Sequence, residues 1–171
     1  MTTLLYKRWE YVASDDRATG WMEWISRIEK IFFHAVWDYR IYVLCAGWVP
    51  FKEQMKSLIK TLFDDEWEFN AINLYDYREE CKKYYKENYE HVIVIRHLDR
   101  DWDCDSERAF ILNDVCLEEI NSDFYAAWSG GSYAFAYMQL VSQEDPYAIM
   151  KYAASRDSST SENVSIKYFI H

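Results

Sequence analysis

Segments with the apolar spacing of β-strands alternate with segments with the spacing of α-helices along most of this chain. Residues 91–98 (HVIVIRHL) are the clearest strand, and 39–46 (YRIYVLCA) have the same β-branched and aromatic character. In 21–37 and 51–63 the apolar residues recur at helical spacing instead. This alternation predicts an α/β or α+β fold, with a mixed β-sheet and helices packed on it.

The remainder of the chain continues the same pattern. We expect further strands at 4–12, 67–75, 108–112, 133–141 and 164–170, and further helices at 78–89, 114–121 and 145–155. Pro146 suits the first turn of the last helix. The segment SGGS at 129–132 matches no phosphate-binding motif, so it indicates a turn.

Chain length and composition favour a single domain covering residues 1–171. The chain has 171 residues, of which 50% are hydrophobic, with only 4 Gly and 2 Pro. No apolar run is long enough to span a membrane, and the first residues do not resemble a signal peptide. The 4 Cys form no CxxC pair, so free thiols and a cytoplasmic location are expected.

Negative charge is concentrated in one third of the chain. The net charge is −10, and residues 101–150 contain 10 acidic side chains but one basic side chain, Arg108. Nonspecific binding to nucleic acid or to an anionic membrane requires Lys and Arg, so the charge disfavours both classes and predicts neither as a partner. It favours attraction to a basic protein surface instead.

Acidic residues recur at every second position in one segment of this region. If the segment is extended, their side chains point to one side at a spacing of roughly 6.6 to 6.8 Å. These residues are Asp99, Asp101, Asp103, Asp105 and Glu107, and a second acidic group follows at Asp114, Glu118, Glu119 and Asp123. Three interpretations stay open: a solvated loop, a surface that imitates a phosphate backbone or complements a basic protein, and a weak metal site. An authentic EF-hand is disfavoured because Cys104 and Phe110 occupy the positions of its Gly and its bidentate Glu.

Aromatic side chains accompany the acidic residues. Aromatic residues make up 19% of the chain, and Tyr and Trp suit protein interfaces as well as cores. Trp102 and Trp128, with Phe124 and Tyr125, are candidates for desolvated anchors of an interface.

No motif predicts a catalytic residue or a cofactor. GxSxG, HExxH and zinc-type Cys/His spacings are absent. Cys45, in an apolar strand, and Cys104, among carboxylates, lack the electropositive setting that activates a thiol. His91 and His97 share one face of the predicted strand, where a polar cap is the simplest interpretation.

These features together favour a protein-binding inhibitor that acts through an acidic, aromatic-rich surface. Such a protein would be a virus-encoded anti-defence protein that mimics nucleic acid, or an immunity protein against a basic nuclease. Its partner would be a basic, nucleic-acid-binding protein, with no cofactor. Two alternatives remain: a metal-assisted enzyme that uses the acidic cluster with His97, and a structural or regulatory subunit.

Overall fold

The computed structural model describes residues 2–19, 25–47, 49, 52–84, 89–98, 104–141 and 145–169. The strands are β1 (Thr3–Lys7), β2 (Tyr11–Asp15), β3 (Arg17–Thr19), β4 (Ile25–Arg27), β5 (Ile31–Val36), β6 (Tyr39–Gly47), β7 (Tyr89–Leu98), β8 (Cys104–Asn113), β9 (Leu117–Glu119), β10 (Phe124–Trp128) and β11 (Val164–Tyr168). The helices are α1 (Lys52–Lys60), α2 (Asn73–Tyr84), α3 (Gly131–Val141) and α4 (Pro146–Arg156). The expected α+β class is confirmed.

The chain divides into two compact units. Unit 1 consists of Met1–Ile31 and Ser122–Ile170, and unit 2 of Phe32–Asn121. The expectation of a single domain over 1–171 stays a prediction.

Unit 1 is built on a four-stranded antiparallel sheet with the order β10-β1-β2-β11. Strands β1 and β2 form a hairpin, so the start of β1 and the end of β2 lie side by side. Helices α3 and α4 pack on this sheet through a small apolar core. Its buried members are Leu5, Tyr11, Ala13, Phe124, Ala134, Ile149, Met150 and Ala153.

Unit 2 is built on a five-stranded sheet with the order β5-β6-β7-β8-β9. Alternate residues of β6 and β7 face helices α1 and α2, as the two-residue period of a strand requires. The buried residues of this core include Ile41, Val43, Ile93 and Ile95 from the strands, and Met55, Leu58, Ile59, Leu74 and Tyr77 from the helical side.

Two predicted elements have the opposite secondary structure. The helix expected at 21–37 is wrong where it is described, because β4 and β5 occupy 25–27 and 31–36. The segment IFFHAV is apolar at nearly every position, so it satisfies strand and helix spacing equally, and its pairing with β6 decides the outcome. The strand expected at 133–141 is helix α3, where Ala, Met, Gln and Leu favour a helix.

Two smaller expectations are also wrong. Where a strand was expected at 67–75, Phe69 forms one isolated bridge with Phe63, and a turn at 71–72 leads into α2. The helix expected at 114–121 contains the short strand β9, which pairs with β8. No helix in the described part of the chain has the length and apolar character needed to cross a membrane.

Candidate active site

Two threonines stand at the start of the central strand of unit 1. Thr3 is the first residue of β1, and Thr2 precedes it. Both are buried, and Thr2 is only 4% exposed. A hydroxyl group withdrawn from water in this way must be held by other polar groups.

The Thr2 hydroxyl is held by a buried lysine. Lys30 Nζ donates a hydrogen bond to Thr2 Oγ1 over 2.7 Å, and a second one to Asp15 Oδ1 over 3.2 Å. The side chains of Lys30 and Asp15 are 2% and 0% exposed, so this is a fully buried ion pair. A buried pair of charges is tolerated only when further hydrogen bonds satisfy it.

Asp15 receives those hydrogen bonds from the backbone of three segments. Its Oδ1 accepts from Thr3 N at 2.8 Å, and its Oδ2 accepts from Arg17 N at 3.2 Å and Ser161 N at 3.4 Å. The carboxylate, at the end of β2, therefore joins the start of β1, the start of β3 and the loop before β11. Because its position is fixed on three sides, Asp15 also fixes Lys30 against Thr2.

The protonation of Lys30 responds to two opposing effects. Burial is the larger effect and lowers the pKa of Lys30, while the charge and hydrogen bond of Asp15 raise it. The balance lies below the usual lysine pKa. Lys30 thus keeps its proton near neutral pH less firmly than an exposed lysine does.

A second polar network adjoins the first at Thr3. Thr160 Oγ1 donates to Asp157 Oδ2 over 2.7 Å, and Thr3 Oγ1 lies 2.7 Å from Thr160 Oγ1. A threonine hydroxyl has one proton, so Thr3 is the donor in its pair with Thr160. Burial raises the pKa of Asp157, but hydrogen bonds from Ser129, Thr160 and Ser159 lower it further than burial raises it.

The turn between β10 and α3 closes this network. Ser129 Oγ lies 3.5 Å from the backbone oxygen of Thr2, to which it donates a long hydrogen bond. Gly130 passes so close to the threonines that a Cβ there would lie 2.1 Å from Thr3 Oγ1 and 2.6 Å from Thr160 Oγ1. Only glycine fits at this position.

The arrangement can support nucleophilic chemistry. A buried ammonium that donates to a hydroxyl oxygen stabilises the negative charge that develops on that oxygen when it loses its proton. Thr2, Lys30 and Asp15 all belong to unit 1.

The alternating acidic residues expected to form a partner surface are only partly described. Asp99, Asp101, Trp102 and Asp103 lie outside the described residues. Asp105 lies in β8, and its side chain is likewise not described.

Glu107 is not on the surface. Its buried carboxylate is 3.1 Å from Arg96 Nε, and both side chains are almost completely shielded from solvent. It therefore satisfies a buried charge in unit 2.

The second acidic group is divided between the two units. Asp114, Glu118 and Glu119 are exposed in unit 2, where Glu119 forms two hydrogen bonds of 2.8 Å with Arg108. Asp123 is exposed in unit 1. Trp128 is half-buried in unit 1, where it pairs with Thr3 across β1 and β10.

The metal hypothesis finds no support in the described part of the chain. There, no three His, Cys, Asp or Glu side chains come together in a way that could hold a metal ion.

The sequence analysis missed the residues of this site. Segment 129–132 was assigned to a turn with no functional role, and it contributes Ser129 and Gly130 to the site. Two signals were present: a Thr-Thr pair directly before a strand, and a charged residue, Asp15, at the end of an apolar strand. A charge on a buried strand requires a buried partner, which points to Lys30.

Comparison with known proteins finds solved structures with a similar fold, but no similar sequence. No family model and no curated protein matches the sequence. Among solved structures, a Gly-1 mutant of Anbu from Hyphomicrobium sp. strain MC1 matches with a TM-score of 0.71 and 13% identity, over 99% of this chain and 82% of that chain. HslV from Trypanosoma brucei matches with a TM-score of 0.60 and 16% identity, over all of both chains. BPH from Thiobacillus denitrificans, in complex with epoxomicin, matches with a TM-score of 0.63 and 17% identity, over 98% of this chain and 97% of that chain.

These matches correct the functional hypothesis. The chain shares its fold with Anbu, HslV and BPH, and this likeness overturns the inhibitor, nucleic acid mimic and immunity protein hypotheses, which are wrong. The expected partner, a basic nuclease, is wrong for the same reason. Acidic spacing was a poor guide because a solvated face produces the same pattern.

Proposed function

We propose that this protein is a threonine peptidase in which the Thr2 hydroxyl attacks the peptide bond. The observation that carries the proposal is the 2.7 Å hydrogen bond from Lys30 Nζ to Thr2 Oγ1, in a buried site that also holds Asp15. The fold shared with proteasome-like hydrolase subunits supports the same assignment. Epoxomicin, which BPH from Thiobacillus denitrificans binds, is therefore a rational probe for Thr2.

The reaction requires Thr2 to have a free α-amine, which cleavage of the Met1–Thr2 peptide bond provides. The amine then accepts the proton of the Thr2 hydroxyl as Oγ1 attacks the scissile carbonyl carbon. The C–N bond breaks, the α-ammonium gives its proton to the leaving amine, and the acyl group stays on Oγ1 as an ester. Water attacks the ester, first passing a proton to the α-amine, and the acid is released while Oγ1 regains its proton.

Lys30 and Asp15 assist without forming bonds to the substrate. The Lys30 ammonium donates to Oγ1 and stabilises the negative charge that develops there as the proton leaves. Asp15 keeps that ammonium in place through its own fixed hydrogen bonds.

The cytoplasm is the location we propose for this activity. Cys45 and Cys81 are buried and unpaired thiols. Such thiols suit a reducing compartment.

The first experiment measures whether Thr2 is both exposed by cleavage and reactive. Intact-mass spectrometry of the purified protein should show a chain that starts at Thr2, and one equivalent of epoxomicin should add to the Thr2 peptide. Fluorogenic peptides should be hydrolysed by the wild type, more slowly by Thr2→Ser, and not by Thr2→Ala.

A matched control separates chemistry from folding. Thr61→Ala removes a hydroxyl that only donates to the Leu58 carbonyl in unit 2, so it should leave hydrolysis and labelling intact. Hydrolysis by Thr2→Ala at the wild-type rate would exclude Thr2 as the nucleophile.

A further inference from the structure

An unusual backbone conformation occurs at four tryptophans. Among the described residues, the non-glycine residues with positive φ are Trp9 at 65°, Trp37 at 48°, Trp67 at 64° and Trp128 at 68°. Bulky side chains disfavour this left-handed region because Cβ approaches the following carbonyl oxygen. Each of these positions needs a reason to hold tryptophan.

Trp128 differs from the other three by its place beside the Thr2 site. It is the last residue of β10, pairs with Thr3 across β1 and β10, and is followed at once by Ser129 and Gly130. Its positive φ turns the chain from the strand towards helix α3, which begins at Gly131. The direction of this turn determines where Ser129 and Gly130 lie.

Both residues after Trp128 make contacts that tolerate little displacement. The single proton of the Ser129 hydroxyl is shared between two acceptors, the Thr2 carbonyl oxygen at 3.5 Å and the Asp157 carboxylate. Gly130 has no free space beside Thr3 and Thr160, as the 2.1 Å and 2.6 Å approaches of a Cβ show. A rotation at residue 128 would move the Ser129 hydroxyl away or push Gly130 into Thr3.

The Trp128 side chain gains no hydrogen bond in return for this conformation. Its indole Nε1 is buried, and none of the described residues accepts a hydrogen bond from it. A side-chain hydrogen bond therefore does not explain the conformation. Strain of this kind persists where the surrounding structure imposes it, often at functional sites.

We propose that Trp128 is a positioning residue, whose left-handed backbone directs the Ser129 hydroxyl to Thr2 and Asp157 and carries Gly130 past Thr3. This inference rests on the proposed threonine peptidase function. Trp128 acts through the backbone of Ser129 and Gly130 and does not touch the reacting atoms.

The effect of a substitution at Trp128 on kcat should depend on how readily the new residue adopts positive φ, and not on the size of its side chain. Trp128→Gly and Trp128→Asn accept positive φ readily, so kcat should stay within about threefold of the wild type. Trp128→Ala should be intermediate, and the β-branched Trp128→Val should lose about tenfold or more in kcat with KM little changed. A loss that is greatest for Gly, the smallest residue, would overturn the inference.

Trp9 is the matched control. It has the same left-handed conformation, at 65°, in the turn between β1 and β2. Trp9→Val should lower the melting temperature about as much as Trp128→Val but leave kcat unchanged. An equal loss of kcat in both valine variants would show that only general stability is affected, and would contradict the inference.

A titration of the Asp157 carboxyl tests the positioning role of Trp128 independently of catalytic activity. Burial raises the pKa of Asp157, and the Ser129 hydrogen bond is the first of several that lower it. NMR titration of the Asp157 carboxyl should therefore show a higher pKa in Trp128→Val than in the wild type, and an unchanged pKa in Trp128→Gly. If the wild type cleaves no peptide, the peptidase function fails while this titration still decides the role of Trp128. Equal Asp157 pKa values in the two variants would overturn the inference.

Discussion

At the scale of single residues, the site depends on a charge pair with no access to solvent. Lys30 and Asp15 neutralise each other, and the Asp15 carboxylate also accepts hydrogen bonds from the backbone N–H groups of Thr3, Arg17 and Ser161. Removing one charge of a buried pair leaves the other charge unpaired, which is strongly destabilising.

Asp15→Asn should therefore lower the free energy of unfolding by about 3–5 kcal/mol. The substitution keeps the shape of the side chain but leaves the Lys30 ammonium without its anion. Urea unfolding followed by tryptophan fluorescence measures the loss.

Glu119→Gln is the matched control for this change. Glu119 also pairs with a basic residue, Arg108, but both side chains are about two-fifths exposed. Solvent screening limits such a pair to about 1 kcal/mol or less. Similar losses in the two variants would contradict the special role of the buried pair.

The rate of peptide hydrolysis should rise with pH, pass through a maximum and then fall. Activity should rise with pH as the Thr2 α-amine loses its proton, at about pH 7.7–8.0 for an unperturbed amine. It should fall again as Lys30 becomes neutral, and this fall should begin below pH 10.5 because burial lowers the pKa of Lys30.

Asp15→Asn provides the check on that assignment, since the Asp15 charge raises the pKa of Lys30. In the variant, the fall at high pH should move to lower pH. A falling limb that stays in place in kcat/KM profiles would show that another group is responsible.

At the scale of elements, helix α4 shows which signals the sequence carries clearly. The helix was predicted at 145–155 and is observed at Pro146–Arg156. Asp145 caps its first turn by accepting from Tyr147 N at 3.1 Å, and Pro146 follows at a position where its missing N–H does no harm. Capping residues act locally, so this helix needs no tertiary information.

Asp145→Ala should therefore lower the free energy of unfolding by about 1 kcal/mol. Asp145→Ser, which can also cap, should restore most of the loss. Thermal unfolding of the three proteins measures the difference, and an alanine variant as stable as the wild type would contradict the role of the cap.

Elements without capping residues were predicted with mixed success. Strand β7 has the β-branched run expected of a buried strand, and it was predicted nearly in full. Helix α3 and strand β5 were assigned the opposite structure, because their apolar residues fit both periods and only tertiary packing decides between them. The Thr2 site was not predictable from motifs because its residues come from separate segments that only folding brings together.

Strand β7 also contains a buried histidine, His91. His91 is inaccessible to solvent, lies opposite Cys45 on β6, and has its Nδ1 3.0 Å from the Tyr77 hydroxyl of α2. Burial lowers the pKa of His91 to about 3. The folded protein therefore holds His91 neutral at pH values where the unfolded chain protonates it.

This difference in protonation determines how the free energy of unfolding depends on pH. Between about pH 6.5, the unfolded value, and about pH 3, the unfolded chain binds one more proton at residue 91 than the folded protein. The free energy of unfolding should fall with falling pH across this window, by up to about 1.4 kcal/mol per pH unit.

His91→Gln isolates the effect, because glutamine has no such proton to bind. The stability difference between wild type and variant should be constant above pH 6.5 and should shrink below it. Parallel stability profiles in urea unfolding from pH 7 to pH 4 would contradict a neutral buried His91.

At the scale of the whole molecule, charge and chemistry belong to different units. Of the excess of ten negative charges, eight lie in unit 2 and two in unit 1, which contains Thr2, Lys30 and Asp15. Most residues of the predicted acidic surface lie in unit 2, while the candidate active site lies in unit 1. Net charge reports solubility and long-range attraction, and it gives no information about a buried site.

The state of the chain before Thr2 should control the activity of the whole protein. Thr2 has a free α-amine only when no residue precedes it, and the proposed reaction uses that amine as the base. Protein with an uncleaved N-terminal extension should therefore hydrolyse fluorogenic peptides at least a hundredfold more slowly than protein that starts at Thr2, since general base catalysis contributes at least about that factor.

A protease site placed directly before Thr2 makes the comparison within one preparation. Cleavage should restore hydrolysis in proportion to the fraction of chains that start at Thr2 by mass spectrometry, whereas the same extension at the C-terminus should have no effect. The Asp15–Lys30 pair does not involve the α-amine, so the buried charge network should form in both states, and far-UV circular dichroism should not change on cleavage. Full activity of the uncleaved protein would mean that Lys30, and not the α-amine, accepts the proton from Thr2.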